Sequence, residues 1–115
     1  MNHVEDIHRL AMELHDIWLL WNKGTPPRFG VFTGRALRLA CDLETLAAEM
    51  MDGIPVEPSR SDFYRSAATM CQRCGRYESA IRLIKAGLAG NPPAEIRAEL
   101  EELMGQVAKA MEANQ

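Results

Sequence analysis

Residues 61–93 read SDFYRSAATMCQRCGRYESAIRLIKAGLAGNPP, and this stretch decides the fold. Gly75 divides it into two runs of helical period, about 61–74 and 77–89. Ser59 or Ser61 is placed to cap the first run. Small residues, Ala67 and Ala68 on one run and Ala80 on the other, fall where two antiparallel helices would cross. Close approach of two backbones requires small side chains there. Tyr64, Tyr77 and Ile84 are large and would fill the space on either side. Gly75 permits a tight turn that a β-carbon would strain. Gly90-Asn91-Pro92-Pro93 both stops the second run and starts another. Asn91 suits an N-cap, and a proline in the first turn gives up an N–H that has no partner anyway. These features predict a helical hairpin.

Downstream, residues 94–115 carry Ile96, Leu100, Leu103, Val107 and Ala110 or Met111 on one face. Glu95, Arg97, Glu99, Glu101, Glu102, Lys109 and Glu112 occupy the other. Such a helix covers a neighbour on one side and meets water on the other. Upstream, residues 1–53 predict a pair of amphipathic helices. In the first, Val4, Ile7, Ala11, Leu14, Trp18 and Trp21 recur at 3, 4, 3, 4, 3, with Leu10 and Ile17 widening the stripe. Its end, Ile17 to Trp21, is apolar nearly all round, so Trp18 and Trp21 belong to the core or to a partner's interface. Asn22 to Pro27 stops it. The loop Arg28 to Phe32 holds Phe29 and Phe32, which either close over the core or anchor a partner. A second helix starts near Thr33, an N-cap candidate, with Ala36, Leu39, Leu43, Leu46 and Met50 as its core stripe and Leu37, Ala40 and Ala47 beside it. Asp52-Gly53-Ile54-Pro55 ends it, and residues 54–60 form a short linker. The expected fold is all-α: one domain of about five helices, two packed on a hairpin that the last helix caps.

Residues 61–93 resemble a single tetratricopeptide repeat, a helix–turn–helix of about 34 residues. Tyr64, Ala67, Ala68, Gly75, Tyr77, Ala80, Ile84 and Pro92 fall in that family's register, and Gly87-Leu88 stands where Ala-Leu is usual. The resemblance covers 33 of 115 residues, and no second copy follows its pattern. It implies a protein-binding role, with the first helix of the repeat lining a groove. Carried over by register, the groove residues are Asp62, Arg65, Thr69, Gln72 and Arg73, with Arg76 close by. Arg65 and Thr69 stand where some members hold a peptide's carboxylates with Lys and Asn. Arg65, Thr69 and Arg73 recur at i, i+4, i+8, a stripe that would suit a partner helix or a short acidic peptide. A solvated face with internal ion pairs is the alternative for the same residues.

Composition narrows the function classes. Hydrophobic residues are 47% and charged residues 25%, ordinary for a globular chain. Net charge is −3, which speaks against nucleic acid as a partner. The polar, acidic N-terminus is unlike a signal peptide, and no apolar run is long enough for a bilayer, so no membrane role is expected. Three cysteines are too few for a secreted disulfide framework, and a cytoplasmic setting with reduced thiols is expected. Cys71-Gln72-Arg73-Cys74 is a CxxC, and Cys41 could add a third sulfur. A small metal or redox protein is therefore a remote alternative, although no fourth ligand follows zinc-site spacing and burial of Cys71 as a small hydrophobe is the simpler reading. His8 and His15 lie on the first helix, and Glu5 with His8 forms only half of a di-iron pattern. No catalytic set, cofactor loop or metal motif emerges, so no enzyme activity is expected. The sequence points to an interaction module, with a homo-oligomer built through the first helix as the alternative.

Overall fold

A computed structural model describes residues 3–22, 30–54 and 56–113. Five helices account for most of them: α1 (His3–Asn22), α2 (Gly30–Met50), α3 (Ser59–Arg73), α4 (Tyr77–Ala89) and α5 (Ala94–Ala113). The fold is all-α, as expected, with no strand among the described residues. Each helix packs on the next in chain order, and α5 also reaches α3. The whole measures 43 × 40 × 20 Å, a slab about two helix diameters thick.

The α3–α4 hairpin follows from its small residues. Ala67, Ala68 and Ala80 are fully buried at the crossing, with Tyr64 and Ile84 buried beside them and Tyr77 partly so. α3 ends in a Schellman turn. Gly75 takes φ +78°, its N–H donates to the Gln72 carbonyl (3.0 Å), and the Arg76 N–H donates to the Cys71 carbonyl (2.8 Å). Gly87 lets three helices meet, since a β-carbon there would lie 3.1 Å from both Tyr64 Cβ and Leu100 Cδ1. Ile96, Leu100, Leu103 and Val107 of α5 close the core from the far side, and their charged neighbours stay exposed.

The caps differ from expectation. α3 begins at Ser59, and neither serine caps it. The Glu57 carboxylate does so instead, accepting the Ser61 N–H at 2.9 Å, while Ser61 Oγ is buried and turns back to the Pro58 carbonyl. Asn91 does not cap α5. Its N–H donates to the other Glu57 oxygen at 3.1 Å, and the Pro93 carbonyl takes the first helical bond, from the Arg97 N–H. One carboxylate thus ties the linker to the α4–α5 turn. α2 begins at Gly30 and not near Thr33, so Thr33 is no cap and Phe32 lies on a helix. None of residues 30–33 is a proline that would forbid this.

The larger correction concerns which face of α2 is inside. Leu37, Ala40, Cys41, Glu44, Ala47, Ala48 and Met51 are buried. The leucine stripe expected in the core looks outward: Leu39 is 49%, Leu46 46% and Met50 37% exposed. At 100° per residue the buried face is rotated by more than a third of a turn from the stripe. The small residues explain the choice. Ala47 packs with Val4 of α1, and Ala40, Cys41 and Ala48 pack beside Leu37 in the cluster shared with α3, where small side chains let the helices approach. On α1, Val4 and Ala11 are buried, Ile7 and Leu14 pack at the core edge, and Leu10 is 48% exposed.

Candidate functional site

The molecule has three candidate regions, two on its surface and one buried. The first is the α3 stripe. Arg65, Thr69, Gln72 and Arg73 do converge, in a shallow groove completed by Glu99, Glu102, Leu103 and Gln106 of α5. On its other flank the same arginines and Thr69 meet Met12 of α1. The groove is therefore composite, built by α3 with α1 and α5. Its cations are engaged internally. Arg65 donates to Glu99 (2.5 Å) and to Asp62, and Arg76 donates to Asp42 of α2. Thr69 Oγ1 donates to the Arg65 carbonyl at 2.9 Å, and Gln72 donates to Gln106 at 3.2 Å. An acidic ligand would have to displace Glu99 or Asp62 from Arg65. Exposed pairs of this kind are worth only about 0–1 kcal/mol, so displacement costs little. Sequence pattern located the stripe but not its counterions, which lie 34 positions away on α5 or on α2.

The second surface was missed by sequence pattern. Leu39, Leu46 and Met50 line one outward stripe of α2, with Leu43 partly exposed among them, and Leu10 of the adjoining α1 is likewise half-exposed. The His8–Glu44 contact and the packing of Val4 on Ala47 and Met51 set the two helices antiparallel, which brings Leu10 level with residue 42. A stripe of half-exposed apolar side chains along one helix differs from apolar residues scattered singly over a surface. The signal available in the sequence was the second, smaller apolar stripe on α2, Leu37-Ala40-Cys41-Ala47-Ala48, which can lie closer to a neighbour. Phe29 lies outside the described residues, as do the side chains of Trp18, Trp21 and Phe32.

The third place is buried. Cys41 of α2 faces Cys71 and Cys74 of α3. Cys41 Sγ and Cys71 Sγ are 2.8 Å apart, and Cys74 Sγ donates to the Leu37 carbonyl at 3.4 Å, one turn before Cys41. All three are free thiols, with Cys41 and Cys71 buried and Cys74 partly exposed. Their acidities are ordered. The contact with Cys41, and then burial, push Cys71 far above the ordinary thiol range. The Cys71 contact would lower Cys41, but its own bond to Cys74 and its burial outweigh that and lift it to about 11. The bond from Cys41 and the positive charge of Arg76 lower Cys74, against its own partial burial. The two inner sulfurs thus hold their protons more tightly, and the outer one is the sulfur whose thiolate is favoured. Among the described residues, no group of three or more His, Cys, Asp or Glu could hold a metal ion.

Beside this cluster, Glu44 is fully buried on α2. Its Oε1 lies 2.5 Å from His8 Nδ1, and its Oε2 has no partner. His8 in turn stands edge-on to the Phe63 ring at 5.0 Å. No helix among the described residues is long and apolar enough to cross a membrane. No protein-family model, curated protein or solved structure matches this chain.

Proposed function

We propose that this chain is a protein–protein interaction module that takes a partner helix on the outer face of its α1–α2 hairpin. The observation that carries the reading is the inversion of α2, with its alanines inside and Leu39, Leu46 and Met50 outside. A partner helix presenting apolar residues at i, i+3/i+4 and i+7 would cover that face. The resemblance of residues 61–93 to a tetratricopeptide repeat supports a binding role. In this reading the hairpin with α5 is the scaffold, and the Arg65–Arg73 groove is a second, polar surface for a short acidic peptide. The protein works without catalysis, in the cytoplasm.

A second reading, self-association, is favoured by the charges of α2. Arg35 and Arg38 precede the middle of the stripe, and Asp42 and Glu49 follow on the same flank, all exposed. An antiparallel second copy would set the basic end of one helix beside the acidic end of the other. One set of variants separates the readings. Sedimentation across a hundredfold concentration range reports the mass, and immobilised protein is offered a library of amphipathic helical peptides. Leu39→Glu/Leu46→Glu should lose dimer or peptide, whichever forms, while Arg65→Glu/Arg73→Glu keeps it. For the self-associating case, Arg38→Glu weakens the dimer and Arg38→Glu/Glu49→Arg restores it. Loss with the arginine pair and retention with the leucine pair would move the site to the α3 groove.

A further inference from the structure

The three thiols at the α2–α3 contact have no part in the interaction reading, because they lie between α2 and α3, away from the outer face of α2. We propose that Cys41, Cys71 and Cys74 form an oxidant-accepting site, in which Cys74 takes the oxidising equivalents of a peroxide and Cys41 closes a disulfide between α2 and α3. The geometry carries this. Cys41 stands between two sulfurs placed one turn apart on α3, in 2.8 Å contact with Cys71 and beside Cys74 at the Leu37 carbonyl. Cys74, at the C-cap of α3, is the member with solvent access. The Cys41 thiol and the Arg76 guanidinium, itself steered by Asp42, favour its thiolate. Buried cysteines in a reduced core usually sit apart as small hydrophobes. Three in mutual reach, with a graded order of acidity running outward, make a path for an electron pair.

The chemistry balances as follows. The Cys74 thiolate attacks one peroxide oxygen, the O–O bond breaks, and hydroxide leaves and takes a proton to become water. The Cys74 sulfur is then a sulfenic acid. Cys41 attacks that sulfur, its proton passes to the departing hydroxyl, and a second water leaves. Two thiols have lost two protons and two electrons, and hydrogen peroxide has become two waters. Exchange with Cys71 can move the bond to the buried Cys41–Cys71 position and release Cys74 as a thiol.

Trypsin separates the outcomes, because Arg73 lies between Cys71 and Cys74. Cys41 falls in peptide 39–60, Cys71 in 66–73 and Cys74 in 74–76. Purified reduced protein is treated with hydrogen peroxide, blocked with an alkylating agent and mapped without reduction. The expected result is a monomer lighter by about two hydrogens, with 39–60 linked to 74–76 or to 66–73. Cys74→Ser should slow the loss at least about tenfold, since the accessible thiolate is gone, and Cys41→Ser should abolish it. Helical circular dichroism checks that both variants fold, and the wild-type map decides if they do not. Linkage of 66–73 to 74–76 alone, intermolecular dimers alone, no mass loss, or an unslowed Cys74→Ser variant would each overturn the proposal.

Discussion

Replacing Glu44 by glutamine should change how stability depends on pH, and the direction follows from the structure. The Glu44 side chain is fully buried, and one of its two oxygens has no partner. Burial raises its pKa from 4.5. The nearby His8 opposes this, through charge and hydrogen bond, without reversing it. A carboxyl whose folded pKa lies above its unfolded one binds a proton in the native state that the unfolded state lacks. Stability is then greatest at and below about pH 4.5, falls as pH rises towards the folded pKa, and levels off beyond it. Each unit of displacement removes about 1.4 kcal/mol over that window. Glutamine cannot titrate, and its buried amide adds a fixed cost of about 1–3 kcal/mol wherever a donor lacks a partner. The stability difference between wild type and Glu44→Gln should therefore shrink as pH climbs from 4 to 7. Urea denaturation followed by the helical circular dichroism signal at each pH measures it. Contributions from groups that do not interact with Glu44 are common to both proteins and cancel in the difference. A His8→Phe variant removes the group that holds the shift down, so its decline with pH should be steeper. A wild-type minus glutamine difference that stays flat from pH 4 to 7 would refute the claim that Glu44 is buried against its charge.

Three further outcomes are expected. Glu57→Gln should cost about 1 kcal/mol near neutrality, as loss of a helix cap does. Burial alone would raise the Glu57 carboxyl, but the Ser61 and Asn91 N–H groups and Arg60 hold it below the ordinary range, so the difference should vanish as pH falls through that lowered pKa. Gly75→Ala should destabilise by about 1 kcal/mol from left-handed strain alone, because nothing lies within 4 Å of its new β-carbon; a thermal melt reads this. Ala80→Leu should cost about 1–3 kcal/mol in urea by forcing α3 and α4 apart at a fully buried crossing.

Legibility varied along the chain for physical reasons. The five helices were readable because their ends are chemically marked, by Gly75, by Gly90 to Pro93 and by Gly53. The core face of α5 was readable because it has one apolar stripe, and no second solution competes. The hairpin crossing was readable because Ala68 and Ala80 leave few other packings. α2 was not, since it carries two apolar stripes, and the one without a charge has the larger side chains. A transfer-based reading takes the leucines inside and leaves Glu44 out. The molecule does the reverse because α2 has neighbours on two sides. Ala40, Ala47 and Ala48 allow both to approach, and the close packing gained there outweighs two leucines and a methionine left half-exposed.

That outcome bears on function. A buried carboxylate and an exposed leucine stripe on the same helix are each a local cost, of about 1–3 kcal/mol for the unpartnered oxygen and a fraction of that for each half-exposed leucine. An isolated monomer would gain from turning α2 over, were the alanine contacts not there to hold it. With a partner covering Leu10, Leu39, Leu46 and Met50, the second cost disappears. If each of these four side chains still has about half of the 1.5–3 kcal/mol of a fully buried side chain to gain, the patch as a whole supplies about 3–6 kcal/mol. That is about a hundredfold to about ten-thousandfold in affinity. The Leu39→Glu/Leu46→Glu pair, which removes half of the patch and adds two charges to desolvate, should therefore weaken binding by at least about tenfold while leaving the helical signal of the monomer unchanged. A variant that bound as tightly as the wild type would show that the outward leucines are merely tolerated, and the α3 groove would be left as the binding surface.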